Sequence, residues 1–234
     1  MFEDASVFNQ SLNSWNVASV TTMEDMFNGA TAFNETIDAW NVRGVTTMYE
    51  MFKDATTFNQ SLNNWRVTGV TNMGYMFNNA SAYNQAMDLW NLGNVSMRST
   101  FQNATALNQD LGDWDVSGVS DMRDMLDNTA LIRENYDNTL IAWSEQTLTS
   151  GITLGAEGLP YCDAQEERQS MIDTFGWTFS LDVRDCPIPL CTQLASPLNG
   201  ATDVPVNTNI TWEPALFAQG YGLTVGTPPG LNDI

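Results

Sequence analysis

Apolar positions recur on a fixed clock through residues 1–130. Met-Phe stands at Met1-Phe2, Met26-Phe27, Met51-Phe52 and Met76-Phe77, then as Thr100-Phe101 and Met125-Leu126, so the second residues lie 25, 25, 25, 24 and 25 apart. Tryptophan keeps the same period at Trp15, Trp40, Trp65, Trp90 and Trp114. So does asparagine after an apolar residue, at Asn9, Asn34, Asn59, Asn84 and Asn108. Within one repeat, Trp15 and Val17 have the two-residue spacing of a strand. Met23, Met26, Phe27 and Ala30 are three or four apart, the spacing of a short helix face. A strand–turn–helix unit cannot bury its apolar side alone, whereas stacked copies can. The pattern therefore predicts an α/β solenoid. Its right-handed coils would carry a parallel sheet centred on Trp-x-Val, short helices at the Met-Phe segments and one buried tryptophan column.

The period is lost from Leu131. Residues 136–146 read as a helix and 151–154 as a short strand. Asp163 with Glu166 suggests a capping box for a second helix that ends at Gly176, and Trp177, Phe179 and Leu181 alternate like a strand. Residues 131–187 are thus expected to be an α/β C-terminal cap closing the solenoid core. A linker follows at 188–191. Residues 192–234 look like the first half of an immunoglobulin-like or fibronectin type III-like sandwich, with Val204, Val206, Ile210 and Trp212 in its early strands and 221–225 in the next. Such a sandwich needs about 100 residues, so this part is expected to be truncated. Met1 shares the repeat phase of Met26, and both ends of the chain therefore look cut.

In full, MFxxAxxFNxxLxxWxVxxVxxM resembles the repeat of the BspA-like leucine-rich-repeat family of bacterial surface proteins, also found in mycoplasma surface lipoproteins. The stretches NYDNTLIAW, LPYC and RQSMIDTFGW resemble the segment that follows these repeats in surface proteins of marine Bacteroidetes. The resemblance implies an adhesive, secreted or cell-surface protein, outer-membrane-attached or released by the type IX route, and a Cys162–Cys186 disulfide. On the residues alone, three cysteines with no CxxC suggest one disulfide, a spare thiol and an oxidising compartment.

Composition narrows the chemistry. The chain has 234 residues, 43% of them hydrophobic, with 8 Lys and Arg against 28 Asp and Glu and a formal charge of -20. That balance argues against nucleic acid and anionic membranes, and no apolar run approaches the ~18 residues of a membrane span. There is no histidine, which removes Ser-His-Asp triads, Cys-His dyads and His-ligated metals. No cofactor is expected. Calcium is possible but has no supporting motif, since neither DxDxDG loops nor nonapeptide repeats occur.

The tryptophans, asparagines and methionines read as structure rather than ligand sites, because exposing the tryptophan ladder would leave the solenoid without a core. The residues between the buried strand positions are more informative. Asn16, Asn41, Arg66, Asn91 and Asp115 should point outward, flanked by Ser14, Ala39, Asn64, Leu89 and Asp113 and by Ala18, Arg43, Thr68, Gly93 and Ser117. By resemblance to leucine-rich repeats, this sheet face is the expected binding surface. Its partner residues would be Asn16, Asn41, Arg43, Asn64, Arg66, Asn91, Asp113 and Asp115, and the partner an extracellular protein or polysaccharide. The charge predicts weak binding to acidic glycans unless calcium bridges them.

An enzyme is the rival reading. A β-solenoid glycoside hydrolase or lyase could use paired carboxylates without histidine. Asp113 and Asp115 lie two apart on one strand and form the best local pair, with Asp110, Asp121 and Asp124 nearby. The acids are nevertheless spread over every segment, which suits a solubilising surface better than a focused site.

Overall fold

The computed structural model describes residues 1–186, 194–196 and 211–212. Residues 1–185 form one compact unit, so the repeats and the segment after them share a single core. Parallel bridges run Thr22 to Thr47, Thr47 to Asn72, Asn72 to Ser96 and Ser96 to Asp121. Repeats therefore stack in register, each on the next.

The stacking contacts lie elsewhere in the repeat than the apolar spacing suggests. Expected helices at the Met-Phe segments are turns instead. Alternate N–H groups there donate to the next repeat: Met23 to Thr47, Asp25 to Tyr49, Phe27 to Met51 and Gly29 to Lys53, at 2.8–3.0 Å. Intervening groups close four-residue turns within the repeat, as from Met26 to Met23 and from Ala30 to Phe27. Two left-handed residues per repeat make this path possible. One column is Asp25, Glu50, Tyr75, Ser99 and Asp124, and the other Asp4, Gly29, Asp54, Asn79, Asn103 and Asn128. A left-handed residue every few positions breaks an α-helix, and Gly, Asn and Asp tolerate that conformation best. Trp-x-Val is extended, but its N–H groups make no bond between repeats, so the backbone ladder runs through the Met-Phe side.

Side chains fill the stack as columns. Phe2, Phe27, Phe52, Phe77 and Phe101 stack at centroid spacings of 5.4–5.6 Å. A second column of Phe8, Phe33, Phe58 and Tyr83 lies beside it, each ring 4.0–4.1 Å from its partner in the first. Trp40, Trp65, Trp90 and Trp114 are buried, and each indole N–H donates to the carbonyl of Leu12, Ile37, Leu62 or Met87 in the preceding repeat. Trp15 departs from the expected column: it is 41% exposed, because no described repeat stacks on its outer side. Each asparagine Oδ1 accepts the backbone N–H of the next, from Asn9 through Asn108 and on to Ile132, at 2.9–3.0 Å. This exposed to half-buried ladder ties the backbone of each repeat to the next.

After the repeats come α1 (Arg133–Ser144), β1 (Thr153–Gly155), β2 (Pro160–Tyr161), α2 (Gln165–Phe175), β3 (Thr178–Ser180) and β4 (Val183–Arg184). β1 pairs in parallel with β3, and β2 with β4. The repeat ladder continues into this segment through a parallel bridge from Met122 to Leu154. Gly155 is required there, since a Cβ would collide with the Asp124 backbone. Trp143 and Trp177 imitate the repeat tryptophans, donating to Leu111 and Thr149.

Two local expectations need correction. No capping box forms at α2, whose N-terminal residue makes no side-chain cap. Instead the buried carboxylate of Asp137, on α1, accepts the N–H groups of Cys162, Asp163 and Ala164. Leu181 does not extend the alternation of Trp177 and Phe179, because it turns into the left-handed region and is exposed. Cys162 and Cys186, the two cysteines paired by resemblance, are both disulfide-bonded.

The second unit begins at Cys186. Its described part is an antiparallel pair, β5 (Leu194–Ser196) with β6 (Thr211–Trp212), with a register shift between Leu194 and Ser196. Cys191, Val204, Val206, Ile210 and the expected strand at 221–225 lie outside the described residues.

Candidate functional site

Alternation about each tryptophan sorts the side chains. Trp40, Val42, Trp65, Val67, Trp90, Leu92, Trp114 and Val116 are buried, whereas Asn16, Asn41, Arg43, Asn64, Arg66, Asn91, Asp113 and Asp115 are exposed. Extended backbone gives this result without a hydrogen-bonded sheet, because successive side chains take opposite sides.

Exposure does not make these residues equivalent. Asn16, Asn41 and Asp115 each accept a backbone N–H two residues on, from Ala18, Arg43 and Ser117. They close their own turns, and only their remaining polar atoms face outward. Asp115 also accepts the Ser117 hydroxyl at 2.6 Å, and the Ser117 hydrogen bonds hold its carboxyl below the usual range.

Four of the expected residues come together. Asn41, Arg43, Asn64 and Arg66 line one open depression of about 320 Å³, with Asp38 at its edge. A neighbouring hollow carries Arg66 and Asn64 on to Leu89, an exposed apolar side chain. Asp113 lies in a third hollow of about 480 Å³ with Asp88, Asp110 and Asn138. Asn16, Asn91 and Asp115 line none of these three.

The acid pair fares differently from its sequence reading. Asp113 faces the hollow, while Asp115 is occupied by its own turn. Asp110 accepts the Gly112 N–H, Asp88 the Asn63 amide, and Asp121 is clamped by both ends of the Arg123 guanidinium, which lowers its carboxyl. Among the described residues no group of three or more acidic or cysteine side chains is arranged to hold a metal ion.

Two clusters escaped the sequence reading. Glu50 takes hydrogen bonds from Lys53 and Asn28, and Tyr49, hydrogen-bonded to Glu50 and partly desolvated, is pushed up to about 12. Arg168 forks onto Asp182 between the rings of Tyr161 and Phe179, and Tyr136 donates to the same carboxylate. Each cluster is satisfied within the fold. The Gly/Asp/Asn column two residues after each Met-Phe was visible and would have exposed the turn path.

Residues 1–97 and 64–150 match the family described as Mycoplasma protein of unknown function, DUF285. These matches span more than half of the chain, which therefore belongs to that family, a relative of the BspA-like repeats. No curated protein and no solved structure matches the chain.

Proposed function

We propose that the chain is a non-catalytic, secreted or cell-surface interaction module, built as a leucine-rich-repeat-like right-handed solenoid. On this reading it binds an extracellular protein or polysaccharide through the outward residues beside the tryptophan column, and the unit after Cys186 begins an immunoglobulin-like or fibronectin type III-like domain of the kind found in Bacteroidetes surface proteins. One observation carries it. Asn41, Arg43, Asn64 and Arg66, from two successive repeats, share one exposed depression although the tryptophans and valines beneath them already complete the core. Fold stability does not require two arginines without ion pairs in one depression, and such exposed residues suit recognition. Disulfide-bonded Cys162 and Cys186 support an oxidising compartment.

Glycan and matrix-protein arrays probed with the whole chain, with and without calcium, test this reading. A discrete ligand is expected, lost on Arg66→Glu or on joint substitution of Asn41 and Asn91. Binding that survives those changes would move the site elsewhere. Glycan cleavage abolished by Asp113→Asn or Asp115→Asn would replace the module with a carbohydrate-active enzyme.

A further inference from the structure

On a chain with 8 basic and 28 acidic side chains, cations should be readily paired. Lys53 is paired with Glu50, Arg123 with Asp121 and Arg168 with Asp182. Arg98, Arg133 and Arg184 form no ion pair among the described residues, and nor do Arg43 and Arg66, which differ in lining one depression together. Among the described residues neither guanidinium has an ion pair or hydrogen bond, although Asp38 lines the same depression.

The other polar side chains of that lining are two neutral amides and one carboxylate. Asn41 uses its Oδ1 on the Arg43 N–H, which leaves its NH₂ free to donate outward. Asn64 makes no side-chain bond among the described residues and offers both donor and acceptor. Asp38 spends Oδ1 on the Thr36 hydroxyl and keeps its other oxygen as an acceptor.

This set selects its ligand. Two guanidiniums call for an oxyanion, which Arg recognises by paired, planar hydrogen bonds. Asp38 repels a second anion and calls for a hydrogen-bond donor instead. An acidic peptide offers N–H donors but also carboxylates in succession, so it meets the first demand and sets a second anion against Asp38. A sugar acid meets both. We propose that this depression binds one acidic sugar residue of an extracellular polysaccharide, its carboxylate or sulfate on Arg43 and Arg66 and its hydroxyls on Asn41, Asn64 and Asp38. The proposal rests on the interaction-module reading and gives that site its ligand class. It also revises the expectation that net charge makes binding to acidic glycans weak unless calcium bridges them. Charges beyond about 8 Å are largely screened at physiological salt, so the two nearby arginines decide local affinity.

Calorimetric titration of the whole chain provides the test, using a short oligogalacturonate, its methyl ester and a sulfated galactan oligosaccharide. At least one acidic oligosaccharide should bind, and which one binds distinguishes carboxylate from sulfate. If the oligogalacturonate binds, its ester should bind at least about tenfold more weakly. Arg43→Gln and Arg66→Gln should each weaken binding of the acidic ligand about tenfold or more with an unchanged melting temperature, and Arg184→Gln, an exposed control on β4, should not. Failure of both acidic ligands to bind, equal binding of ester and acid, or equal losses in all three variants would overturn the proposal. A protein ligand found on the arrays and lost on Arg66→Glu would, in that case, leave the module reading standing without a sugar-acid site.

Discussion

The indole N–H of Trp65 donates to the carbonyl of Ile37 in the preceding repeat, 3.2 Å away, and both groups are buried. The same bond joins Trp40 to Leu12, Trp90 to Leu62 and Trp114 to Met87. One side chain thus fills the core and gives a second hydrogen bond to a carbonyl of the neighbouring repeat that also takes a backbone N–H. Trp65→Phe leaves a smaller ring and removes one of the two hydrogen bonds to that carbonyl, which keeps the Trp40 backbone N–H. The lost bond and lost ring volume together should cost about 1–3 kcal/mol in guanidinium denaturation. Trp15→Phe, at the exposed end of the column, should stay within about 0.5 kcal/mol of wild type. Equal costs at the two positions would mean that the bond is not what stabilises the column.

Tyr83 occupies a place held by phenylalanine in the three preceding repeats, Phe8, Phe33 and Phe58. Its hydroxyl is fully buried without a hydrogen-bond partner among the described residues, and burial drives its ionisation far up. Tyr83→Phe removes an unsatisfied polar atom while keeping the ring, and should stabilise the protein by about 1 kcal/mol. A loss of stability in that variant would show that the hydroxyl has a partner in solution.

Burial raises the carboxyl of Asp127, with Asp124 and Glu157 pushing the same way, even though Asp127 accepts the Glu157 N–H. A carboxyl whose folded value is raised favours the fold while protonated, and that contribution is lost as pH rises through the folded value. Asp127→Asn keeps the acceptor without the charge. Its melting temperature should exceed wild type at pH 7, and the gain should fade as pH drops through the raised folded value and be gone below the ordinary aspartate range. A gain that is constant with pH would contradict the assignment.

The bonded state of Cys162 and Cys186 leads to a chemical prediction. A digest without reductant should yield a single peptide pair joined through these two residues. A bridge between Cys186 and Cys191 would refute the pairing, since it closes only a very short loop.

How far the sequence carried depends on the residue. Tryptophan and valine two apart placed the buried and exposed rows correctly, because side chains alternate along any extended chain. The asparagine ladder was equally legible, since a short amide at a fixed period has the neighbouring backbone as its nearest partner. The Met-Phe segments misled. Apolar residues three and four apart mark a helix face, but tight turns with left-handed corners bury the same positions, and Glu50, Tyr75 and Ser99 are poor advertisements for such corners. Asp137 capping α2 from across the fold had no local signal at all. Nor did the division of the outward residues, which depends on side-chain bonds such as Asn16 to Ala18.

The central claim is that the outward residues serve a partner and not the fold. Its most direct test is one protein carrying Asn41→Ser, Arg43→Ser, Asn64→Ser, Arg66→Ser and Asn91→Ser together, compared with wild type in melting temperature and in binding to whichever array ligand the wild type selects. We expect a melting temperature within a few degrees of wild type and binding reduced below detection. Retained binding, or a collapse of stability, would contradict the claim.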